Sequence, residues 1–346
     1  MGQIKMRRIG FFFFMHFSAA SALVAPIPLI VLPNDASTYS LINSVDFHPK
    51  ENLCAVVYTH NNKITLYQIG EEGQLKIIQT LHNPSSRLDQ PQHAAFSPNG
   101  NQLVVANWLT QTLNVYQRNS NRLFSKKPIA VTLPPKILQH CKPHGVMFSP
   151  CGKYLAISYG AASYFERAIV LFKQENNRFT CISLLKNEEL PGIPKGIAFT
   201  PDGTHLIATF AEPPSLGIFS IENETIASKP HQMIEGPRTQ LSRPEDVKFS
   251  PDQTCCAVTN SDQHTVTFYL FDRESNFILQ TTPFQTLQNP ESRLHTPHGI
   301  AFSSDGRHMA ITQFGGITFT SEGDVIWEKT MKAKEATLNL YEIDIP

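Results

Sequence analysis

The sequence has 346 residues, 41% hydrophobic and 17% charged, enough apolar content to bury a core without disulfide or metal staples. Lys plus Arg and Asp plus Glu number 29 each, so no excess of either sign directs the chain to nucleic acid or an anionic membrane.

The N-terminal stretch carries Lys5, Arg7 and Arg8, then an apolar run from Ile9, then Ala20-Ser21-Ala22 in the spacing a signal peptidase reads. This predicts a secretory signal over residues 1–22 and a mature domain over 23–346, exported to the periplasm or the extracellular space. The apolar run is shorter than the about 20 residues a membrane span needs, so the mature chain is expected to lack a span; an uncleaved anchor is the alternative. Cleavage removes three cations and leaves 26 basic against 29 acidic residues, a formal charge of 26 − 29 = −3. The six cysteines do not form an evident disulfide framework. Cys141 and Cys151 flank one predicted strand, roughly 25 Å apart at ~3.3 Å per residue, and Cys255 and Cys256 are adjacent with side chains on opposite faces. Unpaired thiols are commoner in reducing compartments, which keeps a cytoplasmic location as the alternative.

Six times the chain repeats an aromatic followed by a turn: DFHPKEN at Phe47, AFSPNGN at Phe96, MFSPCGK at Phe148, AFTPDGT at Phe199, KFSPDQT at Phe249 and AFSSDGR at Phe302. A second apolar run follows each turn, then a third that closes on Tyr67, Tyr116, Phe172, Phe219, Tyr269 or Tyr341, then a weaker fourth such as KIIQTL or TCISLL. Four of those closing aromatics stand 20 residues after their turn aromatic; units three and six carry insertions of 4 and 19. Four short strands per ~50 residues, repeated, describe the blades of a β-propeller. An open stack of the same strands would leave bare edges at both ends. The sixth unit stops after its third strand at Tyr341, while PIPLIVL at residues 26–32 has no other role. The predicted fold is therefore all-β, a six-bladed propeller of four-stranded blades, its ring closed by residues 26–32 as outer strand of the last blade. Gly100, Gly152, Gly203 and Gly306, with Asn99, Asp202, Asp252 and Asp305, read as turn chemistry rather than metal ligation.

PHGIAFSSDGRHMAIT (297–312), CAVTNSDQHTVTFYLFD (256–272) and VVANWLTQTLNVYQR (104–118) together resemble the YVTN and lactonase-like β-propeller superfamily. The resemblance spans the whole mature chain and implies a propeller, with lactone hydrolysis as an associated activity. Its lactonase-like members have seven blades; six units are counted here. It transfers no catalytic residue.

Function in ring folds sits on loops held by a rigid scaffold. Four residues before each turn aromatic, where the inner strand enters the central channel on the "top" face, stand Asn43, Gln92, His144, Lys195, Glu245 and His298. All six are polar, and five follow a proline. Six-fold pseudosymmetry sets His144 opposite His298 and makes Lys195 and Glu245 neighbours. The plain reading is a solvated channel mouth. The sharper one is a ligand funnel whose imidazoles serve as acid and base or hold a metal, with an ammonium to orient an anion. Tyr58, His60, Asn107, Trp108, Tyr159, Phe210, Asn260 and Phe314 are expected to add an aromatic, hydrogen-bonding rim. No nucleophile elbow, HExxH helix, phosphate loop or CxxC pair is present, and no cofactor is called for.

Two functions follow. One is an exported, monomeric binding or scaffold propeller that engages a protein or small-molecule ligand, not nucleic acid, on its top face through Asn43, Gln92, His144, Lys195, Glu245, His298, Asn107, Trp108 and Asn260. The alternative is a lactonase-like hydrolase with a dispersed site of His144, His298, Lys195 and Glu245. The insertion between strands two and three of blade six, with Gly315-Gly316 as a hinge, is expected to cover the funnel.

Overall fold

The structure is a computed structural model that describes residues 24–33, 41–82, 84–132, 138, 141–160, 166–314 and 336–343. The predicted secretory segment, residues 1–22, and the blade-six insertion from Gly315 onward lie outside these residues.

Each repeat folds as an antiparallel sheet, and six sheets form six blades. The inner strands are Ile42–Phe47, Pro91–Phe96, Lys142–Phe148, Pro194–Phe199, Pro244–Phe249 and Pro297–Phe302. Each touches the inner strand of both neighbours, the first against the sixth included, so the ring is closed. Blade one runs outward through Leu53–Tyr58, Lys63–Ile69 and Leu75–His82, each pairing with the one before it. In blades four and five the fourth strand is split into Thr225–Ile226 with Gln232–Glu235, and Phe277–Ile278 with Gln285–Leu287. Pro230 and Pro283 fall in the gaps, and proline cannot donate to a ladder.

The turns behave as their residues predict. Gly100 and Gly306 adopt φ of 77° and 71°, and Asp305 Oδ1 accepts from Ser303 Oγ at 2.6 Å and from the Arg307 amide at 3.0 Å. All six cysteines are free.

The core lies between blades rather than within a single sandwich. One cluster joins Ile42, Phe47 and Tyr67 of blade one to Ala310, Leu338 and Leu340 of blade six. Closure occurs where the sequence places it, with a shifted register: the strand is Ile30–Pro33, with Ile30 opposite Leu340 and Pro33 opposite Thr337. Residues 26–29 fall short of ladder geometry because Pro26 and Pro28 have no N–H. The segment still bonds through Leu29 N to Leu340 O at 2.8 Å and Ala25 N to Glu342 O at 3.2 Å. Its start is anchored: Val24 is fully buried, and its amide and carbonyl are both held by the Gln285 side chain.

Inner strands meet closely at the channel, which explains Gly145, Gly196 and Gly299. A Cβ on Gly196 would stand 2.4 Å from Asp246 Cα and 2.8 Å from the Glu245 carbonyl, both backbone atoms of the next blade. Gly196→Ala is therefore expected to cost about 3 kcal/mol, the upper range for overpacking, read as a lowered urea midpoint at unchanged m. An unchanged midpoint would mean the blades slide apart without penalty.

Candidate functional site at the channel mouth

Every inner strand carries a register shift just after its entry residue: between Ile42 and Ser44, Pro91 and His93, Pro143 and Val146, Pro194 and Ile197, Pro244 and Asp246, and Pro297 and Ile300. A bulge bends the strand and re-aims one side chain. The re-aimed residues are the six picked out by their position before the turn aromatic, and the bulge delivers them to the channel mouth.

Glu245 is the hub. Its Oε2 lies 3.6 Å from His144 Nε2, 3.5 Å from Lys195 Nζ and 3.5 Å from His298 Nε2, nitrogens from three other blades. Its Oε1 lies 3.5 Å from Arg243 Nε, and Arg243 also binds Glu212 at 3.0 Å. The His144 and His298 rings face each other at 5.1 Å, and Phe314 stacks on His298 at 4.2 Å. Across the mouth Asn43 Nδ2 donates to Gln92 Oε1. The mouth is thus charged on the blade-four and blade-five side and neutral on the blade-one and blade-two side.

Backbone position is locked from the second strands. Thr259 Oγ1 donates to the His298 carbonyl at 2.7 Å, Thr312 Oγ1 to the Asn43 carbonyl at 2.9 Å, and Ser158 Oγ to the Lys195 carbonyl. His298 Nδ1 shares the Asn43 carbonyl at 2.8 Å. A carbonyl only accepts, so Nδ1 carries the proton and Nε2 turns its lone pair toward Glu245.

Burial holds both imidazoles neutral. His144 is driven well below the usual histidine range by desolvation and by the positive charge of Lys195, and His298 is lowered by desolvation against the opposing pull of Glu245. Burial also pushes Glu245 toward protonation, but the charges of Lys195 and Arg243 outweigh it and hold the carboxyl below its usual range.

A second polar layer lies behind the first. His93 Nε2 is 3.6 Å from Asp246 Oδ2, and Lys248 Nζ is 3.4 Å from Asp246 Oδ1. Asp246 Oδ2 takes the Ile300 amide at 3.1 Å, and Asp46 Oδ2 takes the Phe96 amide at 2.8 Å. Sequence reasoning missed this layer. Its signal is a register comparison: one residue before the turn aromatic stand Asp46, Ala95, Met147, Ala198, Lys248 and Ala301, so two charges occupy a place otherwise given to apolar residues. Lys248 serves two carboxylates; Asp246 keeps a pKa of about 2 as Lys248 and His93 outweigh its burial. Asp46 is raised by burial to about 6 from 3.8, with Lys248 opposing. A carboxyl whose folded pKa is raised binds its proton more tightly in the native state, so its contribution is full below pH 3.8 and is lost as pH rises through about 6. Asp46→Asn is therefore expected to gain about 3 kcal/mol on the parent between pH 4 and pH 8. Parallel denaturation curves across that window check it; a constant difference overturns the assignment.

Of the remaining predicted residues, Asn107 and Asn260 are buried clips. The Asp89 amide donates to Asn107 Oδ1 at 3.0 Å and the Ser242 amide to Asn260 Oδ1 at 3.1 Å, each holding the loop that enters its blade. Trp108 and His60 are half-buried on the following turns. Tyr58, Tyr159 and Phe210 do not form a rim: all three are core residues, because a second strand ends under the neighbouring blade.

Residues 38–239 match the family model described as lactonase, seven-bladed β-propeller. The chain belongs to this family. As a lactonase-family propeller it closes with six blades among its described residues rather than seven. No curated protein matches it. Solved structures similar to this propeller include a putative 6-phosphogluconolactonase from Bacteroides uniformis, with 14% identity, 82% of each chain covered and a TM-score of 0.58. A second, from Bacteroides fragilis, shows 15% identity over 83% of this chain and 77% of that one, TM-score 0.55. A Lactobacillus plantarum protein shows 17% identity over 71% of each chain, TM-score 0.54. At these identities the likeness is one of fold.

Proposed function

We propose that this propeller hydrolyses a lactone, the cyclic ester of a hydroxy acid, at the channel mouth. The observation that carries the proposal is the buried Glu245 Oε2, ringed at 3.5–3.6 Å by three nitrogens from three other blades. Hydrolysis needs such a convergence of acid, base and cation. A water held among Glu245, His144 and His298 attacks the carbonyl carbon; its proton passes to the cage, the ring C–O bond breaks and the departing oxygen takes up a proton. Lys195, with Arg243 behind it, faces the negative charge that develops on the carbonyl oxygen. Family membership and the neighbours described as putative 6-phosphogluconolactonases support the reaction class.

The test is a pH-indicator assay on aldonolactones with and without a phosphate. Turnover is expected, and Lys195→Ala is expected to raise KM for anionic substrates by about 10- to 100-fold, the equivalent of a hydrogen bond to a charged group. No turnover of any lactone by the folded protein would return the site to a binding function, the other reading of its top face.

We also propose that the protein works outside the cytoplasm as a monomer. Among the described residues no helix is long and apolar enough to cross a membrane, and the N-terminal charge and hydropathy pattern supports export. Residues 1–25 fused to a reporter active only after export should give activity; a reporter retained inside would place the protein in the cytoplasm.

A further inference from the structure

The three groups at the mouth share a feature that hydrolysis by side chains alone leaves unexplained. His144 Nε2, His298 Nε2 and Glu245 Oε2 all lie within 4.8 Å of one another and are all buried. The proton on His298 is committed to the Asn43 carbonyl, so its Nε2 presents a lone pair to a carboxylate oxygen 3.5 Å away. Two acceptors facing each other repel unless a cation or a donor sits between them. Glu245 Oε2 meets these imidazoles, and the Lys195 ammonium, only at 3.5–3.6 Å, longer than a good hydrogen bond.

We infer that His144, Glu245 and His298 form a divalent transition-metal site, with zinc as its best fit. Two imidazoles and one carboxylate are the donor set of open catalytic zinc sites, in which the fourth position is left for water or substrate. Hard oxygen-seeking ions such as calcium and magnesium would find one oxygen among two nitrogens, a poor match. The second shell is of the required kind: the far nitrogen of His298 is held by a backbone carbonyl that is itself held by Thr312. The ligands come from bulges on three separate blades and converge on one point of the channel.

Lys195 is the competitor. Its ammonium also reaches Glu245 Oε2, but its side chain is 19% exposed at the end of a flexible stem and can turn outward. Arg243 is shared with Glu212. Around the mouth and in the layer behind it, Asp46, Glu212, Glu245, Asp246 and Asp262 supply five carboxyl groups against the three cations Lys195, Arg243 and Lys248, so a further positive charge is tolerated. The inference rests on the lactonase reading only for the use of the metal; binding stands on its own.

The experiment uses the full chain, stripped with a chelator, titrated with Zn2+ by calorimetry and with Co2+ by visible absorption, in the absence of any substrate. His205 and His231, whose rings lie 4.9 Å apart by the start of a second strand, are a rival zinc-binding pair, so His231→Ala serves as the background. One equivalent is expected to bind, with Co2+ bands of a low-coordinate site. Glu245→Gln and His298→Ala should each weaken binding by about a hundredfold or more, with folding verified by circular dichroism. Lys195→Met should tighten it about tenfold by removing the competing charge. No binding by the parent at micromolar metal, or binding that survives both ligand substitutions, overturns the site. Lactone turnover by the stripped protein without metal binding would sink the metal and leave the reaction; metal binding without turnover would do the reverse.

Discussion

A chain lacking residues 23–33 is expected to aggregate, or to melt at least about 5 °C below the parent. Three losses add. Val24 leaves a fully buried position against blade five, where it packs with Leu287, Leu294 and Phe268. The ladder from Ile30 to Pro33 and the outlying bonds to Leu340 and Glu342 disappear. The edge of Thr337–Glu342 then stands open, a template for pairing with other chains. Removal of one buried aliphatic side chain alone costs about 2–5 kcal/mol, and a domain of this size shifts by about 1.5 °C per kcal/mol at ~2.1 cal/mol/K of unfolding entropy per residue. Differential scanning calorimetry with light scattering reads both effects. A truncated chain that melts with the parent and stays monomeric would remove the closing strand from the account of stability.

Replacing Glu245 by Gln should reduce lactone turnover by about 10²–10⁴-fold, the range for loss of a positioned acid or base, while changing stability by less than about 1 kcal/mol, because the desolvation cost of a buried carboxylate offsets most of its Coulombic gain. The two halves of this expectation have separate causes. Activity falls because the amide retains the shape of the carboxylate and loses its charge and basicity. Stability holds because neither cation is stranded: Lys195 can turn to solvent, and Arg243 retains Glu212. A destabilisation of about 3–5 kcal/mol, the cost of breaking a buried ion pair, would instead identify Glu245 as a clamp across the channel, and the site reading would fail with it.

The architecture was legible in the sequence because it depends on short-range chemistry repeated six times. A turn needs an Asx side chain and a residue at positive φ, and the chain writes this at Asn99-Gly100, Asp202-Gly203 and Asp305-Gly306. The two apolar runs beside each turn fix a hairpin, and the count of hairpins fixes the number of blades. The closing strand was legible for a complementary reason: the sixth unit lacks an outer strand and the N-terminal segment has no partner of its own. Its register was not, because Pro26 and Pro28 withhold two amides and only the actual neighbours decide where pairing resumes.

The six mouth residues could be named from their position before the turn aromatic, since pseudosymmetry carries equivalent positions to equivalent places. That Asn107 and Asn260 are loop clips, that Tyr159 and Phe210 are core, and that Arg243, Asp246, Lys248 and His93 stand with or behind Glu245 depended on tertiary structure. These facts turn on which blade lies beside which side chain, and residues such as His93 and Asp246 or Asp46 and Lys248 are separated by three or more repeats. The sequence by itself determined the blade, the number of blades and the polar character of the mouth, all set by local dihedral and hydropathy preferences. Only ring closure decided the chemistry of the mouth, because it brings Glu245 within reach of His144, Lys195 and His298 and buries them together, and it is burial that sets which of these groups carries a charge.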